Sequence, residues 1–118
     1  MTGPNRVVLL KTQTVDEQTA VAYDCRGLSN IVLYLFGHGV TSSGAITYEE
    51  ATQDPSTTTP GYDGTWSIIG SAVNASTVDG NKCAATHLAV GGYGLVRARI
   101  TTVIGGGGSI SVVLVGTP

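Results

Sequence analysis

The sequence predicts an all-β chain, an antiparallel β-sandwich of about eight short strands. Three observations carry that expectation. Segments rich in Val, Ile, Thr and aromatic residues recur along the chain and alternate in polarity at period two. Reversals rich in Gly, Pro, Ser and Asp separate them. No stretch repeats its apolar residues at the helical period, and the nearest helix start, Val15-Asp16-Glu17-Gln18, is too short for more than a turn.

Residues 1–6 read as a short polar arm that contains Pro4 and Arg6. Residues 7–15 form the first strand. Residues 19–24 form the second, with Val21 and Tyr23 against Ala20 and Ala22, and Cys25-Arg26-Gly27 is a turn. The most hydrophobic segment is 29–36, with Ile31, Leu33 and Leu35 on one face and Val32, Tyr34 and Phe36 on the other. Apolar residues on both faces describe a central strand covered on both sides, or a strand whose second face meets another subunit.

Residues 38–44 are a Gly- and Ser-rich reversal, and 45–51 a strand with Ile46 and Tyr48 opposite Thr47 and Glu49. Residues 52–64, with Pro55, Pro60, Gly61 and Gly64, form a loop longer than the usual connection, a class that tends to be functional or mobile. A strand resumes over 65–73 around Trp66, Ile68 and Ile69, with Trp66 expected in the core. Residues 74–82 are a polar turn region with an Asp79-Gly80 reversal, and 84–90 a strand broken by Gly91-Gly92. The last two strands, 95–103 and 110–115, read as a hairpin with four glycines at its tip, residues 105–108. In its first arm Val96, Ala98, Ile100 and Thr102 face the core. Leu95, Arg97, Arg99 and Thr101 face outward, and the two arginines are expected to pair with Glu49 or Asp63 within the domain, ahead of acids on a neighbour.

The 118 residues suit one domain, residues 1–118, with one modest core. Charged residues make up 12%, hydrophobic residues 42%, and seventeen residues are glycine, a balance that excludes disorder and a helical bundle. Net charge is −2, and the six basic residues Arg6, Lys11, Arg26, Lys82, Arg97 and Arg99 are scattered, so no nucleic-acid partner is expected. The apolar run 7–10 ends at Lys11, too short for a signal peptide, and nothing approaches the roughly 20 apolar residues of a membrane span. Synthesis in a cytoplasm, without a membrane partner, is the expectation. Cys25 and Cys83 are too few for a disulfide scaffold and read as buried free thiols. The sequon at Asn74 reads as coincidence.

No catalytic signature emerges, and no enzyme activity is expected. Asp24, Cys25 and His38 or His87 contain the residue types of a nucleophilic site without its local signature. Glu49 and Glu50 are strand neighbours and point to opposite faces, so they cannot form a facing carboxylate pair. No His or Cys spacing fits a metal, and the four glycines lack the Lys-Ser/Thr and helix of a phosphate cradle, so neither metal nor cofactor is expected. Tyr62, Trp66 and Tyr93 could together form a sugar-stacking platform.

The order NIVLYLFG, GAITYEEA, GTWSIIGSA and GYGLVRARITTVIGGGGSISVVLVG, over roughly residues 30–116, resembles the small jelly-roll-like β-sandwich modules among virion proteins of tailed bacteriophages. A free-standing chain of this length is most similar to the capsid decoration, or cement, group. That resemblance implies a structural protein on the capsid exterior, assembled in the host cytoplasm. Its partner would be the major capsid protein, and its state a homotrimer. The expected partner interface comprises Pro4, Arg6, Val32, Tyr34, Phe36 and Tyr62. The alternative is a receptor- or glycan-binding module of a phage tail or fibre, working through the 55–64 loop, Tyr62 and Trp66.

Overall fold

The computed structural model describes residues 5–15, 22–25, 27–51, 66–88 and 94–117. Eight strands form: β1 (Asn5–Gln13), β2 (Tyr23–Asp24), β3 (Asn30–His38), β4 (Ser43–Ala51), β5 (Ser67–Asn74), β6 (Cys83–Leu88), β7 (Leu95–Gly105) and β8 (Ser109–Thr117). They make two antiparallel sheets of four strands, ordered β1-β8-β3-β6 and β2-β7-β4-β5. This is jelly-roll order. The first strand pairs with the last, β2 with β7, β3 with β6 and β4 with β5, as in one long hairpin rolled up on itself. The β3–β8 and β4–β7 ladders close the roll.

Each strand contributes its inward alternate residues to the space between the sheets. Ile31, Leu33 and Leu35 of β3 and Ile110, Val112 and Leu114 of β8 come from one sheet. Ile46 and Tyr48 of β4 and Val96, Ala98 and Ile100 of β7 come from the other. Burial of these side chains is the main stabilising term, at roughly 25 cal/mol per Å² of apolar surface removed from water.

The predicted C-terminal hairpin is not formed. β7 and β8 lie in opposite sheets, and the glycines between them carry the chain across the core. The physical reason is that both strands present an apolar inward row, and facing sheets bury two such rows against each other where a hairpin would set them side by side. The crossing is tight: Gly106 has φ +105, and a Cβ there would lie 2.8 Å from Val40 Cγ1. Gly108 N–H donates to the Val40 carbonyl at 2.8 Å, and Ser42 N–H to the Gly105 carbonyl at 3.0 Å.

Other expectations shift. Arg6, placed in an arm, stands in β1 opposite Val115, because β8 offers a ladder that far. Residues 19–21 of the second predicted strand lie outside the described residues, as do the 52–64 loop, Pro4, Tyr62 and Asp63. Residues 74–82 are more than a polar turn. Ala75–Val78 is a single 3₁₀ turn whose Ala75 and Val78 side chains are fully buried and plug one end of the core. Thr41, also fully buried, donates its hydroxyl to the Ala75 carbonyl and its N–H to Asp79 Oδ1, both at 2.9 Å. Cys25 is a buried free thiol as expected, but Cys83 is exposed, because β6 turns it outward.

Candidate interaction face

In an antiparallel ladder, residues directly opposite share a face. On the outer side of the β1-β8-β3-β6 sheet this register aligns cross-strand rows. Arg6, Val115, Val32 and His87 make the first. Val8, Val113, Tyr34 and Ala85 make the second. Ser111, Phe36 and Cys83 make the third, and Ser109 with His38 the last. β3 is interior to its sheet, as its composition requires, yet its second face carries no covering layer among the described residues. Phe36 is 36% exposed and Val8 49%, and Val32, Tyr34, Val113 and Val115 are partly exposed. The Tyr34 and Phe36 rings stack at 6.2 Å between centroids.

Four of the expected interface residues, Arg6, Val32, Tyr34 and Phe36, therefore share one face. Pro4 and Tyr62 lie outside the described residues. Sequence reasoning missed the contributions of Val8, Val113 and Val115. The signal was present, because β8 alternates Ile110, Val112 and Leu114 against Val113 and Val115 and so is apolar on both sides, the mark that singled out β3.

The polar end of this face is a hydrogen-bonded set. Ser111 Oγ accepts the Thr12 N–H at 2.9 Å and lies 2.9 Å from His38 Nε2. This holds the imidazole at the rim of the sheet. Cys25 sits at the other end of the sandwich, where its N–H donates to the Gly94 carbonyl, and its thiol is buried. His87 points outward from β6. The structure thus does not bring Cys25 together with either histidine. Burial first, and Asp24 second, push the Cys25 thiol up to about 11, which keeps it protonated. Among the described residues no three His, Cys, Asp or Glu side chains cluster as metal ligands would.

The opposite outer face, on the β2-β7-β4-β5 sheet, carries a different constellation. Arg97 Nε donates to Glu49 Oε1 at 2.8 Å, the internal pairing expected for it. The Arg97 guanidinium lies 3.9 Å from the centroid of a Trp66 ring. Trp66 is half-buried and precedes β5, so it is no core residue. It packs outside the sandwich because Arg97 and Glu49 stand on outward positions of β7 and β4. Tyr62 and Tyr93, its proposed companions in a stacking platform, lie outside the described residues. Thr47, next to this pair, is 3% exposed, with its hydroxyl 3.3 Å from that of Thr101.

No protein-family model, curated protein or solved structure matches this chain.

Proposed function

We propose that the protein is a capsid decoration protein, a homotrimer that binds the lattice of a major capsid protein on the virion exterior and stabilises the head. The observation that supports this reading most directly is the row Val32, Tyr34 and Phe36, which extends across β8 into an exposed apolar sheet face. A face of this kind matches the largest apolar patch of an ordinary monomer, a patch that is often functional. The resemblance of residues 30–116 to phage decoration modules supplies the partner. A subunit that binds the assembled shell and not its disrupted states stabilises the shell by mass action, and the repeating lattice multiplies a modest contact. Jelly rolls serve in viral capsids and in lectins, so the fold is compatible with the reading without selecting it.

Co-sedimentation of the purified chain with expanded and unexpanded shells tests the proposal. Saturable binding to expanded shells at a fixed stoichiometry is expected, together with greater survival of decorated shells under heat and osmotic shock. Absence of binding to either form would overturn it. A second reading draws on the Trp66–Arg97–Glu49 cluster: an aromatic ring beside a carboxylate and a guanidinium is the residue chemistry of a glycan site in a tail or fibre module. A glycan array hit abolished by Trp66→Ala would favour that reading.

A further inference from the structure

We infer that the outer face of the β1-β8-β3-β6 sheet docks a separate protein surface, apolar at its centre and carboxylate-rich at its rim, and not a second copy of this chain. The inference rests on the decoration reading for the identity of that protein.

Charge is the first argument. The four strands of this sheet contain no Asp or Glu. Arg6, opposite Val115 on the outer face, and Lys11 stand on β1, one edge of the sheet. His38 and His87 complete the polar rim. The described acids lie elsewhere: Asp24 on β2, Glu49 and Glu50 on β4, and Asp79 against the Thr41 N–H. On a chain of net charge −2, this apolar face is thus bordered by basic residues along its β1 edge, with no carboxylate in its own strands. Two copies meeting through this face would bring Arg6 and Lys11, and no described carboxylate, to the shared rim, and like charges across an interface are repulsive. A carboxylate rim pairs with them.

Size is the second argument. Four strands at about 4.8 Å spacing, over three rows about 7 Å apart, give a footprint of about 400 Å². Two partners would bury about 800 Å², below the roughly 1,200–2,000 Å² of stable specific complexes. Such a contact is too weak to hold an isolated pair and suits a protein whose associated copies engage several partner sites at once. The centre of the face is mainly aliphatic and its two rings stack on each other, which leaves a poor platform for nucleic-acid bases.

The test uses the full chain, the double variant Phe36→Ser/Val113→Thr and the charge variant Arg6→Gln/Lys11→Gln, each checked for native circular dichroism. The probe for the face itself is anilinonaphthalene sulfonate, an apolar ring system bearing an anion. The wild type should bind it saturably, and the double variant about fivefold less, since a few central side chains dominate such faces. Affinity for capsid shells should fall about tenfold in the double variant, and several-fold in the charge variant and on raising salt to about 0.5 M. Solution mass should be the same for all three proteins.

No dye binding by the wild type would overturn the inference outright, as would a smaller solution mass for the double variant, which would mean that a second copy covers the face. Saturable binding of anionic phospholipid vesicles or of an oligothymidylate that the double variant loses would reassign the face and sink it too. Shell binding unaffected in the double variant would overturn the inference and leave the decoration reading standing. A wild type that binds the dye but no shell would overturn the decoration reading and, with it, the partner assigned here.

Discussion

Tyr48 stands 1% exposed between the sheets, its ring filling the core while its hydroxyl finds no partner among the described residues. Burial, with a smaller contribution from Cys83, holds the phenol well above its usual range. A buried hydroxyl left unpaired costs about 1–3 kcal/mol, so Tyr48→Phe should raise the unfolding free energy by about 1 kcal/mol. A urea titration decides this, and a lower midpoint would mean that the hydroxyl is paired after all. The two thiols should part company in the same way. A disulfide reagent should modify exposed Cys83 rapidly and reach Cys25 only on unfolding. The Cys25 thiol rises from 9.0 to about 11 on folding, so its contribution to stability is complete below pH 9 and is lost as pH climbs through 11. The unfolding midpoint should therefore fall across that window, and fall less in Cys25→Ala.

At the scale of elements, what could be read from the sequence was which side of β3 and of the first half of β7 faces inward; Thr102, expected in the core, is exposed because the β4–β7 register shifts between Ile100 and Thr102. Ile31, Leu33 and Leu35 alternate with Val32, Tyr34 and Phe36, and burial of the first three follows from the pleat alone. What could not be read was which strand lies beside which. Alternation specifies a face, whereas neighbours are chosen by how all the apolar rows close over one core, and β7 and β8 resolve that by facing each other across it. The 3₁₀ turn was hidden for a related reason: Ala75 and Val78 become apolar anchors only once the reversal at 39–42 lies beside them. The candidate face was half legible, because β3 was apolar on both sides, while the rows that join it to β8 and β1 bring together residues that the sequence sets far apart. The glycine crossing gives a prediction at this scale. Gly106→Ala forces a Cβ against Val40 at a left-handed backbone angle, and should cost about 1–3 kcal/mol in the same urea titration. Gly107, with φ +92 but open space around it, should cost less on the same substitution.

For the molecule as a whole, the two sheets divide the labour. Both contribute to the core, but the outer sides differ: one is aliphatic with cations at its β1 edge, the other carries the Glu49–Arg97 ion pair and Trp66. That asymmetry gives the sandwich two chemically distinct outer faces.

The pairing of first strand with last has a kinetic consequence. Asn5 opposes Gly116, so the β1–β8 ladder joins positions at the two ends of the described chain, whereas β4–β5 joins near neighbours. Loop closure makes distant pairings slow, and this pattern belongs with folding in the millisecond-to-second range. The roll should zip from β4–β5 outward, with β1 docking late. Val112→Ala, buried where β8 meets β1, should accordingly speed unfolding far more than it slows folding in a stopped-flow chevron, while Ile46→Val in β4 should act chiefly on the folding limb. Equal effects on both limbs would mean that the ends of the chain meet before its middle has formed.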